Sequence, residues 1–259
     1  MIERYKEVPV RLERRFFDPL EQTVRHVTSV FKPIRWVDDR LAGVTALTLT
    51  MDEPLVFESV VSILPLVDEV VVVDAGRNKA KLPMSDKIIH VRAPPGFNTQ
   101  FKVGLLLSHY HWILRWDADF LVTFETQKLL DKYRDVSDGF CQVKCMVANV
   151  DDGIVDMLQN ESYLFTFHPD ILNTDYSITK KFVDFLHLVF GKRKPFNCHS
   201  VLPWFFDMRM EDYVIADHHY KSKPQEQLLN RQKLNEWRDL SVEEKKQYKD
   251  YGGFIGWQR

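Results

Sequence analysis

Cysteine is scarce in this chain. Cys141, Cys145 and Cys198 are the only three among 259 residues, too few for a disulfide framework. A zinc site would need more Cys or His at ligand spacing. Cys141 and Cys145 stand four apart in the strand-like "FCQVKCMVANV", on one face, where small apolar thiols pack. An excess of charge of one sign is also missing: 35 Lys and Arg against 37 Asp and Glu leave a net charge of -2. No basic field grips a phosphate backbone, which argues against nucleic acid and leaves room only for a small nucleotide. No apolar run approaches the roughly 18 residues that span a bilayer, so a transmembrane segment is not expected. The start, "MIERYKEVPVRLERRFF", lacks the apolar stretch of a secretory signal. These absences predict a soluble cytoplasmic protein. The basic run "GKRKPF" (191–196) offers the one opening for peripheral contact with anionic lipid or phosphate, although short basic runs are ordinarily solvated loops. Internal repeats and low-complexity tracts are absent.

What remains is ordinary globular composition, 45% hydrophobic and 28% charged, in a chain long enough for a substantial core. Residues 1–43 read as a charged, aromatic N-terminal extension. From Val44 the pattern sharpens. "VTALTLT" is β-rich, and "PLVFESVVSIL" fits an amphipathic helix with Pro54 in its first turn. "EVVVVDAG" is a continuous apolar strand ending at Asp74. "KIIHV" follows as a third strand, and "NTQFKVGLLLSHY" as a helix capped by Asn98. "HWILRW" is the fourth strand. Strands alternating with helices predict an α/β fold with a mostly parallel, doubly wound central sheet, whose ligands bind at the carboxyl ends of the strands. After a helix over 125–134, "GFCQVKCMVANV" and "ESYLFTFH" predict antiparallel strands. "YVIADHHYKSKP" reads as a further strand breaking into a loop, and helical spacing returns in the tail. The reading is one domain in two halves, 44–125 and 126–259.

The stretch "HWILRWDADFLV" (111–122) poses the functional question. An interior strand ends in Asp117 and Asp119, and charge there is costly unless solvated, paired or bound to a metal. Asp52, Asp74, Asp117 and Asp119 all fall at predicted carboxyl ends of strands. An Asp-x-Asp there, with Ala118 between, suits a hard divalent cation such as Mn²⁺ or Mg²⁺, which takes oxygen ligands and keeps part of its water shell. Such an ion can bridge a diphosphate and neutralise its charge as it departs. The acidic "TMDE", the acid ending "VVVVDAG" and the late pair His218 and His219 strengthen that reading. Trp112 and Trp116 share one face of their strand, which points at least one of them into the core.

The order and spacing of "VTALTLTMDEPLVFESVVSILPLVDEVVVVDAG" and "FKVGLLLSHYHWILRWDADF" resemble the nucleotide-sugar-binding half of family 2 glycosyltransferases with the GT-A fold. That resemblance implies a Rossmann-like sheet flanked by helices, followed by an antiparallel and helical acceptor half. It also implies transfer of a sugar from a nucleoside-diphosphate sugar to a glycan or other hydroxyl acceptor, with inversion. Thr50, Met51, Asp52 and Glu53 would border the nucleoside. Asp74 would hydrogen-bond the base or ribose, and Lys102 would face the donor. Asp117 would contact ribose, sugar or metal, and Asp119 would be the main metal ligand. "IADHHYKSKPQEQLLNRQ" is similar to the segment that closes the site in several subgroups. There His219, or else His218, would complete the metal shell, and Lys221 would lie over the diphosphate.

The catalytic base stays open at this stage. The family's base commonly lies in a Glu-Asp pair that begins a helix, whereas Glu211 and Asp212 lead into a strand. Asp207 and Glu161 are rivals, and only geometry decides which acid reaches an acceptor hydroxyl. Two other functions stand beside glycosyl transfer. A sugar nucleotidyltransferase would share the sheet and the acid-held cation but wants a Gly-rich phosphate loop, and "LTMDEPLVF" contains no glycine. A non-catalytic relative would keep the fold as a binding module.

Overall fold

A computed structural model describes residues 39–136, 139–151, 154–168, 171, 206–219 and 239–245, and every structural statement below concerns these. Its strands are β1 (Leu41–Thr50), β2 (Glu69–Asp74), β3 (Ile88–Arg92), β4 (Tyr110–Arg115), β5 (Phe120–Val122), β6 (Cys141–Asp151), β7 (Ile154–Thr166) and β8 (Asp207–His219). Its α-helices are α1 (Val56–Ile63), α2 (Phe97–Leu107), α3 (Phe124–Tyr133) and the short α4 (Val242–Lys245). All eight strands join one sheet in the order β3, β2, β1, β4, β7, β6, β8, β5.

Four of the seven adjacent pairs are parallel: β1 with β2, β1 with β4, β2 with β3, and β6 with β8. The other three are antiparallel. The α/β class and the mostly parallel sheet agree with the sequence, as does the antiparallel β6–β7 pair. β1 also takes in Leu41, Ala42 and Gly43, which the sequence reading assigned to the N-terminal extension; the rest of that extension up to residue 38 lies outside the described residues.

Alternation along the strands sorts the core into two layers. Val44 and Ala46 of β1, with Val70 and Val72 of β2, pack with Val56, Val60 and Ile63 of α1 and with Leu129, Leu130 and Tyr133 of α3. Leu47, Val71 and Val73 face the other way, towards Val103 and Leu105 of α2 and Phe165 of β7. The four consecutive valines of β2 are fully buried, two in each layer. Each contributes about 1.5–3 kcal/mol by leaving water, which explains a strand with no polar face. Trp112 and Trp116 both lie in the α1/α3 layer, and Cys141 and Cys145 are free thiols packed there as well.

Two helix starts differ from the sequence reading. Helix α1 begins at Val56 with Leu55 at its N-cap, so Pro54 precedes the helix rather than occupying its first turn. Helix α2 begins at Phe97, placing Asn98 inside its first turn. Gly96 is the N-cap, with φ of 136°. That backbone conformation is one glycine adopts readily, and it follows the two prolines that stop the chain from running straight into the helix. Helix α3 matches expectation: the Thr123 hydroxyl accepts the Glu125 N–H, and the Thr126 hydroxyl accepts the Thr123 N–H at 3.0 Å.

Candidate functional site

The chain runs from β1 to β2 and β3 on one side, then crosses to β4 on the other side of β1. That reversal opens a crevice outside the carboxyl ends of β1 and β4, the usual ligand position in such sheets. Gln100 of α2 ties the rim together, its amide donating to the carbonyls of Thr50 and Val73 at 3.0 Å each. The Thr50 carbonyl also accepts the Ala75 N–H at 2.9 Å. Beyond Thr50 the chain turns at Asp52, whose φ of 56° is the left-handed value. The Asp52 carboxylate accepts the N–H groups of Arg77 at 3.0 Å and Asn78 at 3.3 Å. Gly76 is required beneath it, since a Cβ there would lie 2.6 Å from Asp52 Oδ1.

Asp74 does something more structural than the sequence reading assigned. It is fully buried, and its carboxylate oxygens accept the N–H groups of Gly76 at 2.7 Å and Ala80 at 2.8 Å. His90 Nε2 lies 3.4 Å from its Oδ2. A carboxylate holding a loop by main-chain donors shapes the wall of the crevice. Lys102 is buried on α2. Met51 and Glu53 complete the turn after β1. Lys221 lies outside the described residues.

The two aspartates are held from opposite sides. The Trp116 indole N–H donates to Ser59 Oγ at 3.0 Å, and Ser59 Oγ donates to the Asp117 carbonyl at 3.1 Å, so helix α1 pins the turn. The Phe120 N–H returns to the same carbonyl, and Ala118 is buried between the two acids. Arg115, at the end of β4, sits over the Tyr163 ring and donates to Glu161 Oε2 at 3.1 Å. Its guanidinium also lies 3.5 Å from Asp117. Burial opposes the Arg115 charge, but Asp117, Tyr163 and Glu161 outweigh it and raise its pKa. One of the two acids thus leans on a fixed cation.

Asp119 faces a histidine, and it is His218. The imidazole Nε2 stands 3.1 Å from Asp119 Oδ2, and Nδ1 stands 3.0 Å from Oδ1 of Asn149. Of the two histidines it is thus the second choice of the sequence reading whose side chain reaches Asp119. The pairing of Phe120 with His218 would, continued by one residue, set Asp119 opposite His219; Asp119 lies in the turn before β5, and its carboxylate reaches the neighbouring ring instead. His219 meets Asp119 only through the main chain, donating its N–H to the Asp119 carbonyl at 3.2 Å. Asn149 pairs with His218 across β6 and β8, and sequence reasoning missed it. No local signal marks it, because its part depends on which strand lies beside β8.

The proposed bases on β8 lie away from this pair. Asp207 pairs with Cys141 where His218 pairs with Asn149, a separation of roughly 25 Å at the strand rise. Glu211 binds Lys132 Nζ at 2.7 and 2.9 Å and the Tyr133 hydroxyl, on the side of helix α3. Asp212, its exposed neighbour, stands on the order of 15–20 Å from His218 along the strand. Asp207, Glu211 and Asp212 therefore stand apart from the Asp119–His218 pair, and the pairing of β8 with β6 is irregular between Met210 and Val214, where Glu211 and Asp212 lie. Glu161 does lie beside the crevice, but it is buried against Arg115.

The Asp119–His218 pair fits a divalent cation. Their 3.1 Å contact is that of a hydrogen-bonded ion pair, and the same carboxylate and imidazole would hold the ion side by side if it took the place of the proton between them. One carboxylate and one imidazole also form a donor set that Mn²⁺ or Mg²⁺ accepts. Among the described residues no group of three or more His, Cys, Asp or Glu is gathered as a metal shell. The other positions would fall to water and phosphate oxygens, the usual habit of such ions. No described helix is long and apolar enough to cross a membrane.

No family model matches the chain, and no curated protein matches it by sequence. Similar solved structures include the mannosyltransferase PcManGT from Pyrobaculum calidifontis in complex with GDP-Man and Mn²⁺. That similarity is 15% identity and a TM-score of 0.43, over 84% of this chain and 69% of that one. Glucosyl-3-phosphoglycerate synthase from Mycobacterium tuberculosis, in complex with Mn²⁺, UDP and phosphoglyceric acid, is similar at 13% identity and a TM-score of 0.39. It spans 85% of this chain and 83% of its own. The 4-diphosphocytidyl-2C-methyl-D-erythritol synthase from Anaerococcus prevotii is similar at 12% identity and a TM-score of 0.42, over 75% and 96% of the two chains. Likeness at this level assigns neither family nor activity, so the site's own geometry carries the functional reading.

Proposed function

We propose that this protein is a metal-dependent glycosyltransferase that moves a sugar from a nucleoside-diphosphate sugar to an acceptor hydroxyl. One observation carries the reading: a carboxylate on the turn before β5 and an imidazole on β8, 3.1 Å apart, beside the crevice of a mostly parallel sheet. Asp119 and His218 would hold Mn²⁺ or Mg²⁺, which when bound neutralises the charge developing on the departing diphosphate. Asp117, steadied by Arg115, would meet the ribose or sugar. Thr50, Met51, Asp52 and Glu53 would border the nucleoside, in a wall fixed by Asp74 and Gln100. Lys102 and Lys221 remain candidates for the donor's charged groups, and Glu161 for a proton acceptor if Arg115 releases it.

Nucleotidyl transfer is the weaker reading. The β1–α1 turn has no glycine, and Asp52 occupies main-chain N–H groups of the neighbouring loop; a phosphate cradle needs such donors open. The deciding experiment incubates the protein with UDP-, GDP-, CDP- and dTDP-sugars and Mn²⁺. Release of the nucleoside diphosphate is expected, and it should vanish in Asp119→Ala while the melting temperature is kept. Pyrophosphate release from a nucleoside triphosphate and a sugar phosphate would favour the weaker reading. Full activity of Asp119→Ala would overturn the mechanism, and absence of any turnover would favour a binding module.

A further inference from the structure

We infer that Asn149 is a positioning residue that sets the tautomer and ring orientation of His218, aiming its Nε2 lone pair at the cation shared with Asp119. The inference rests on the metal role proposed above for that pair. Asn149 is 2% exposed on β6, in register with His218 on β8, and its Oδ1 stands 3.0 Å from Nδ1. An amide oxygen is only an acceptor, so Nδ1 directs a proton towards it. Nε2 stands 3.1 Å from an Asp119 carboxylate oxygen as in a hydrogen-bonded ion pair; a cation held by both would take the place of the proton between them and leave Nδ1–H on Asn149. The Phe120 ring, 5.1 Å from the imidazole in an edge-on arrangement, restricts its rotation. Histidine ligands generally need such a partner on the second nitrogen, and losing it weakens metal binding about 10- to 100-fold.

The test uses the full chain and Mn²⁺ alone, with binding read by calorimetry and by the Mn²⁺ electron paramagnetic resonance signal. Asn149→Leu, close in volume but without an acceptor, is expected to weaken Mn²⁺ binding by about 10-fold or more. Asn149→Asp keeps an acceptor and is expected to bind at least as tightly as the wild type. A second readout comes from ¹⁵N-histidine NMR with diamagnetic Mg²⁺ added, with His218 assigned through His218→Gln. The His218 Nδ1–H should carry the downfield shift of a hydrogen bond in the wild type and lose it in Asn149→Leu. Equal Mn²⁺ binding by wild type and Asn149→Leu, or an Nδ1–H shift that Asn149→Leu leaves unchanged, would overturn the inference. So would Asn149→Asp binding as weakly as Asn149→Leu, since that means the amide donates to Nδ1 instead. A wild type that binds neither Mn²⁺ nor Mg²⁺ sinks the metal reading itself, whereas a wild type that binds Mn²⁺ no better than Asn149→Leu sinks only this inference, so the two failures are distinguishable.

Discussion

Replacing Arg115 by methionine tests whether the charges at the end of β4 form one electrostatic unit. The Arg115 side chain is 6% exposed and Glu161 is 7% exposed, with 3.1 Å between them, whereas Asp117 is 37% exposed and 3.5 Å away. Taking the guanidinium from a buried carboxylate costs about 3–5 kcal/mol, because the remaining charge stays desolvated. The looser Asp117 contact adds at most about 1 kcal/mol. A loss of about 4 kcal/mol in a domain of this size lowers the melting temperature by roughly 10 °C. Urea titration followed by tryptophan fluorescence, alongside calorimetry, measures both quantities. The double variant Arg115→Met/Glu161→Leu should recover at least half of the loss, since an apolar pair of similar volume often equals or exceeds a buried ion pair, and methionine packs well over the Tyr163 ring. A single variant within about 1 kcal/mol of wild type, or a double variant weaker than the single, would refute this account.

Gly104→Ala should destabilise the protein: a Cβ there meets Leu47 Cδ1 at 2.1 Å. The overpacking cost of about 1–3 kcal/mol exceeds the gain of about 1 kcal/mol in helix propensity, so a higher melting temperature would contradict the tight seat of α2 on β1. Thr123→Ala removes the cap of α3 and should cost about 1–2 kcal/mol in urea titration; a change below about 0.3 kcal/mol would mean the cap is unused. Burial pushes the Cys141 thiol up to about 12 and raises Cys145 as well. In Cys198→Ser neither remaining thiol should react with Ellman's reagent at pH 8 until denaturant is added. The folded state holds these protons more tightly than the unfolded chain, so their contribution to stability is complete below about pH 9 and declines as pH rises from there towards 12. Stability that climbs over that interval would contradict it.

Local pattern alone made much of the fold legible. Four successive valines read as a strand buried on both sides, and the helix expected over 125–134 lies within one residue of α3 at each end. The alternation of apolar strands with helices from Val44 onward leads to the sheet. Helix starts were read less well where a backbone feature outranked a capping side chain, as at Gly96.

The sequence by itself determined the α/β class, the position of the acids at the carboxyl ends of strands, the packing of Cys141 and Cys145, and that Trp112 and Trp116 share a face with at least one of them in the core. All of these follow from periodicities that act within one strand or helix. Only the tertiary structure decided which groups meet. The turn before β5 brings the Asp119 carboxylate to His218, the β6–β8 pairing brings in Asn149, and the length of β8 sets Asp207, Glu211 and Asp212 apart from that pair. A shift of one residue in register exchanges the faces of a strand, and no term local to the chain specifies register between segments nearly a hundred residues apart.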